Sequence, residues 1–205
     1  PVISPPVMSR AMIDGCLHLE ALIMETLDLK KALKPLLSPS AKQPETITVP
    51  PMNFLMIDGQ GDPNHAPMYT QAVEALYKLA YTIKFAYKKG QGVDYPVMAL
   101  EGLWWAEDMT RFSVADKSSW LWTMLIMQPD FVTPDDLERA AAEARRKADL
   151  PLLDQVRLER FDEGLCAQIM HLGPYATEAP TIQSLHHYIA ESGHVLIGRH
   201  HEIYL

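Results

Sequence analysis

Cysteine is almost missing from this chain. Cys16 and Cys166 are the two in 205 residues, too few and too far apart for a disulfide framework. Both thiols are expected to be buried in a reducing compartment, with the cytoplasm as default. No apolar run approaches the roughly 20 residues that a bilayer crossing needs. Asp14 and Glu20 interrupt the opening stretch where a signal peptide requires an unbroken apolar region. No block of five like charges forms a tail. A formal charge of −8 argues against a phosphate-backbone partner, so neither nucleic acid nor membrane is expected. There is no Gly-x-Ser-x-Gly elbow and no Cys-His nucleophile signature, which leaves covalent catalysis without support. His186-His187, His194 and His200-His201 lack the four-residue helical spacing of a zinc pair. No metal and no cofactor is expected. DGQGDPN, from Asp58, lacks the Lys-Ser/Thr of a phosphate loop and the ligand spacing of an EF-hand, so it reads as a turn.

What is present is an ordinary globular composition, 48% hydrophobic and 21% charged, enough for one domain or two packed halves. Residues 1–24 are Pro-rich at the start and aperiodic, and read as an extension, with Met24 a candidate start. The stretch after Met24 opens a helix that runs from about Leu27 to near Pro35, followed by a linker, SPSAKQPE. Two extended pieces flank Pro50-Pro51, the second running from Asn53 to Asp58. Tyr69, Val73, Leu76, Tyr77, Ala80, Ile83 and Tyr87 recur at helical steps and predict a helix over 67–88. Strands follow at Val97 to Trp105 and Trp120 to Met127, then a helix at Asp135 to Lys147 capped by Thr133 with Pro134 in first position. Two strand-like segments surround Gly164. A helix covers Thr181 to Glu191, and His194 to Leu205 reads as one strand or two short ones.

The order is β-α-β-β twice, an internal repeat whose copies span about 45–128 and 150–205. MIDGQGDPN parallels MHLGPYATE, and ALEGLWW parallels RHHEIYL, which registers Glu101 against Glu202. Alternation places Glu101 with Val97, Ala99, Leu103 and Trp105, and Glu202 with His200 and Tyr204. A carboxylate on an apolar strand face shifts its pKa, pairs, or meets a ligand. One such acid is more often a paired rim residue; two at matched places make a site an even alternative. Trp120, Trp122, Met124 and Ile126 share a face, while Trp104 and Trp105 diverge. Most of these are core, yet four tryptophans beside acids also make a stacking platform for a planar or cationic ring. His171, just before Gly173, reads as a hydrogen-bonded structural histidine rather than a base.

DLKKALKPL, PPMNFLMIDGQGDPN, LEGLWW, MQPDFVTPDD, EGLCAQIMHLGPYATEAPTI and HHEIYL together resemble the stand-alone subgroup of GyrI-like small-molecule-binding proteins, from about residue 27 to the end. The resemblance implies an α+β fold of two tandem β-α-β-β units about a pseudo-twofold. Antiparallel sheets would carry helices on one side, with a ligand cleft between the halves. It implies binding of hydrophobic or cationic aromatic small molecules, with Glu202 central. Relatives with LEGLWW are similar to hydrolases of cyclopropane-bearing DNA-alkylating compounds. By that likeness Glu101, Glu202 and Tyr204 become candidate catalytic residues. Trp104, Trp105, Trp120, Trp122, Tyr175 and His171 become candidate ligand contacts. The chain stops at Leu205 where relatives continue, so the last pocket wall is expected to be shorter. A third idea, topoisomerase inhibition by acidic mimicry, has the net charge but no acidic run behind it.

Overall fold

A computed structural model describes residues 25–107 and 117–205. The expected extension at 1–24, and Cys16 with it, lies outside the described residues. The first described element is strand β1 (Glu25–Thr26), just ahead of the helix predicted from about Leu27. The helix begins later, at α1 (Leu29–Ala32), because Asp28 caps it by accepting from the Lys31 N–H at 3.0 Å. A second short helix, α2 (Lys34–Leu37), follows directly.

The two pieces flanking Pro50-Pro51 are strands β2 (Glu45–Val49) and β3 (Met52–Gln60). The turn after β3 is held by Asp62, which accepts from the Asn64 N–H at 2.9 Å. It leads into the long helix α3 (Pro67–Gly90). Strand β4 (Val93–Asp94) runs parallel to β1. Then come β5 (Leu100–Trp105) and β6 (Leu121–Gln128). Helix α4 (Pro134–Arg145) carries the expected Thr133 cap, completed into a capping box by Asp136. Strands β7 (Arg157–Phe161) and β8 (Gly164–Gln168) meet at a bend where Gly164 takes φ +68°, a conformation open to glycine. Helix α5 (Ala179–Glu191) and strand β9 (His200–Ile203) complete the chain. The expected strand over 194–199 does not form, and Val195, Leu196 and Ile197 are exposed there.

The fold is α+β, with antiparallel pairing in both larger sheets. One has five strands in the order β7-β3-β6-β5-β9, and β2 pairs with β8 in a second. Leu55, Ile57, Met124 and Ile126 on one sheet face are fully buried beneath α3, which supplies Leu76, Leu79 and Ile83. Phe54, Met56, Leu103 and Leu125 fill the opposite face. There Phe161 of β7 lies edge-on to Phe54 at 6.3 Å and to His201 of β9 at 6.5 Å between ring centroids. Those two strands sit at opposite ends of the strand order. In a flat sheet four spacings would separate them by roughly 19 Å. The sheet is therefore curled so that its first and last strands meet on the face away from α3. Among the described residues no helix is long and apolar enough to cross a membrane.

Candidate functional site

The register between β5 and β9 decides which predicted residues can act together. Gly102 lies opposite Glu202, and Glu101 opposite Ile203. Directly opposed residues share a face and their neighbours take the other. Glu101 and Glu202 therefore project from opposite sides of the sheet. The expectation of one pocket carrying both carboxylates is corrected. The reason is a register offset of a single residue, which inverts a strand's faces.

On the α3 side, β9 presents His200, Glu202 and, just past its end, Tyr204. The Tyr204 hydroxyl donates to Glu202 Oε2 at 2.7 Å and accepts from the Trp104 indole N–H at 3.1 Å. His200 Nε2 stands 3.5 Å from Glu202 Oε1. Gly102 makes this contact possible: a Cβ there would fall 2.7 Å from Trp104 Nε1 and 2.9 Å from the Tyr204 oxygen. Trp104 stacks with Tyr69, from the first turn of α3, at 6.2 Å and meets Trp120 edge-on at 5.4 Å. Tyr69 also stands edge-on to Trp122 at 5.4 Å. Trp122 is packed over Gly59, where a Cβ would come within 2.1 Å of its ring. Tyr175, in a short 3-10 turn (Tyr175–Thr177), reaches Tyr204 edge-on at 6.0 Å. Lys117 sits over Trp120 at 4.7 Å.

Depth sorts these residues. Trp104, Trp120 and Trp122 are buried and form a floor rather than an open stacking surface. Tyr175 is exposed, Tyr69 and Tyr204 are partly exposed, and the Glu202 side chain is 20% accessible. Burial tends to raise the Glu202 carboxyl, but the bonds from His200 and Tyr204, with the field of Lys117, outweigh it and hold its pKa below the usual range. Glu202 is thus an ionised carboxylate under aromatic cover. Tyr204 is driven far up by burial and by Glu202, and burial raises Tyr69 to about 12, so both stay protonated.

On the far side the Glu101 carboxylate is buried and lies 3.0 Å from His201 Nε2. His201 Nδ1 is 2.9 Å from Glu163 Oε1, in the bend between β7 and β8. Trp105 also faces this side, with the Arg199 guanidinium over its ring at 3.8 Å. It is separated from the other tryptophans for the same alternating reason as Glu101. His171 anchors the turn before α5. Its Nε2 is 3.3 Å from the Pro174 carbonyl oxygen and its Nδ1 is 2.9 Å from Thr181 Oγ1. Among the described residues no cluster of three or more His, Cys, Asp or Glu is arranged to hold a metal. Two surface grooves, one of about 280 Å³ between α3 and α4 and one of about 450 Å³ around Arg145 to Asp154, lie away from all of these residues.

Sequence reasoning missed Tyr69, Gly102, His201 and Glu163. Tyr69 was visible as the first apolar position of the strongest helix. Gly102 was visible as the glycine between Glu101 and the tryptophans. Glu163 carried no local signal, since only the sheet's curl brings it to His201.

A model of the GyrI-like small-molecule-binding domain matches residues 42–205. No curated protein matches the chain. Three solved structures from Listeria innocua are similar to it. An uncharacterized conserved protein is 43% identical, with 87% of this chain and 90% of that one covered and a TM-score of 0.80. A hydrolase is 41% identical, with 88% and 90% covered and a TM-score of 0.79. A further structure of a hydrolase is 41% identical, with 87% and 93% covered and a TM-score of 0.75.

Proposed function

The chain belongs to the GyrI-like small-molecule-binding family, and from that premise we propose that it captures flat, hydrophobic, cationic compounds at Glu202. The observation that carries this reading is the ionised, part-accessible Glu202 carboxylate, set among Tyr69, Trp104, Tyr175 and Tyr204. A planar cation gains twice there: ring stacking on Tyr69 and Tyr175, and a charge partner in a site largely out of water. Trp104 and Trp122 support Tyr69 from below, and Trp120 backs Trp104. His171 supports the turn that presents Tyr175. Sequestration of foreign aromatic compounds in the cytoplasm is the role that suits such a site.

The test is a titration of the protein with ethidium, a planar cation, followed by tryptophan quenching. Glu202→Gln is expected to weaken binding tenfold or more, about 1.4 kcal/mol. Binding unchanged by that substitution sinks the assignment.

A second reading is hydrolysis of a strained, carbonyl-conjugated cyclopropane, favoured by the hydrolases among the similar structures. Water would attack a ring carbon while the carbon–carbon bond breaks toward the conjugated carbonyl. Glu202 would take the water proton and later return it to the oxyanion, while the Tyr204 O–H, which donates to Glu202 at rest, would turn to donate to that oxyanion. With its pKa lowered, Glu202 is a weak base, so the strained ring must supply most of the driving force. Product formation from a cyclopropane-bearing alkylator, lost in Glu202→Gln, supports this reading; binding without turnover removes it.

A further inference from the structure

The Glu202 face uses neither the buried Glu101 nor the half-buried His201 and Glu163. They lie on the sheet's other side. His201 has a carboxylate oxygen on each ring nitrogen, Glu101 at 3.0 Å and Glu163 at 2.9 Å. Where both carboxylates are ionised they only accept, both nitrogens donate, and the ring is an imidazolium held by two acids; burial raises the Glu101 pKa, and the contact with His201 opposes that rise. The three groups come from β5, β9 and the β7–β8 bend. They therefore join the two ends of a curled five-stranded sheet, whose strand order runs from β7 to β9.

Strand β9 needs such a fastening. It is an edge strand of four residues, hydrogen-bonded to β5 alone, and the segment entering it at 194–199 forms no regular structure. A short edge strand is prone to fray or slip, and a slip of one residue would turn Glu202 from the aromatic face to the far one. His201 adjoins Glu202 in the chain, so fixing one ring fixes the neighbouring carboxylate.

We propose that Glu101, His201 and Glu163 form a part-buried carboxylate–imidazolium–carboxylate clasp that locks β9 in register and thereby positions Glu202 and Tyr204 for their ligand. His201 is a positioning residue and touches no ligand itself. The positioning role rests on the ligand-binding reading above; the lock on β9 does not. Buried ionic groups are well suited to this task, because a shifted register leaves their charges unpaired. The clasp holds only while the ring is charged. Burial works against that charge, but the two carboxylates prevail and raise the His201 pKa to about 9. The titratable groups facing the clasp are Glu101 from β5, Glu163 from the bend, and Cys166 from β8, whose thiol burial pushes up to about 11. Phe161 from β7 adds no charge.

Hydrogen exchange of the 200–204 amides, measured on the full chain against those of α3, reads the lock directly. In wild type, protection of these amides, corrected for intrinsic exchange, is expected to drop at least tenfold between pH 7 and pH 10 while α3 holds. Glu163→Gln and His201→Gln should show the loss already at pH 7. Ethidium affinity should fall threefold or more in both variants, and its decline through pH 9 should be confined to wild type. Unchanged exchange in the variants, or protection in wild type that is independent of pH, overturns the clasp; the wild-type series needs no variant to fold. If wild type shows the exchange pattern but binds no ethidium, the binding reading fails and the lock on β9 stands.

Discussion

At Gly102 a missing side chain matters more than most side chains present. The indole of Trp104 and the hydroxyl of Tyr204 occupy the space a Cβ would take, at 2.7 Å and 2.9 Å. Gly102→Ala is therefore expected to cost about 1–3 kcal/mol by overpacking and to displace Tyr204 from Glu202. Urea denaturation and ethidium titration would register the two effects separately. At Gly59 the obstacle is the Trp122 ring, fully buried and unable to yield. Gly59→Ala should cost more than Gly102→Ala, about 3 kcal/mol or above, in the same denaturation. Tyr204→Phe removes the hydroxyl that helps hold the Glu202 pKa down. The Glu202 titration midpoint should move up, and NMR of the labelled carboxyl would follow it. At this scale the sequence was half legible. The shared face of His200, Glu202 and Tyr204 followed from alternation. The companionship of Glu101 did not, because alternation within one strand is silent about the register between two.

Among the elements, α3 was readable because it buries a periodic apolar face, and β3, β5 and β6 because burial on both faces makes each a short, nearly continuous apolar run. Residues 194–199 were misread for the complementary reason. Val195 to Ile197 have the composition of a strand, but no neighbouring strand among the described residues pairs with them. Strand propensity without a partner does not make a strand. Strand β9 has a partner on one side and the His201 clasp for its other support, so its stability should follow pH. An unfolded histidine titrates near 6.5, and the folded His201 pKa is raised to about 9. Its stabilisation is then fully present below about pH 6.5 and is lost as pH rises through about 9. The difference corresponds to roughly 3 kcal/mol as an upper figure, reduced by the cost that burial imposes on Glu101. Thermal melts should show wild type losing more Tm than His201→Gln between pH 7 and pH 10.

Across the whole molecule the core is unevenly shared. The five-stranded sheet and α3 hold most of the fully buried side chains, whereas α5 contributes none. Leu165, Leu172 and Ile197 are exposed in the later half, Ile197 at 86%. Ile197→Lys should leave stability within about 0.5 kcal/mol of wild type and raise solubility, as a concentration series would show. Tyr175, the one exposed ring of the candidate site, belongs to this half, while the buried tryptophans belong to the other. The strand pairing that unites them has a kinetic consequence. Pairing β5 with β9 joins Gly102 to Glu202, about as distant in sequence as half the chain. Closing so long a loop delays its reward, since contacts between remote segments form slowly. During refolding, tryptophan fluorescence from the β3–β6–β5 core should recover ahead of ethidium binding: a molecule can have regained its core and still be unable to hold its ligand.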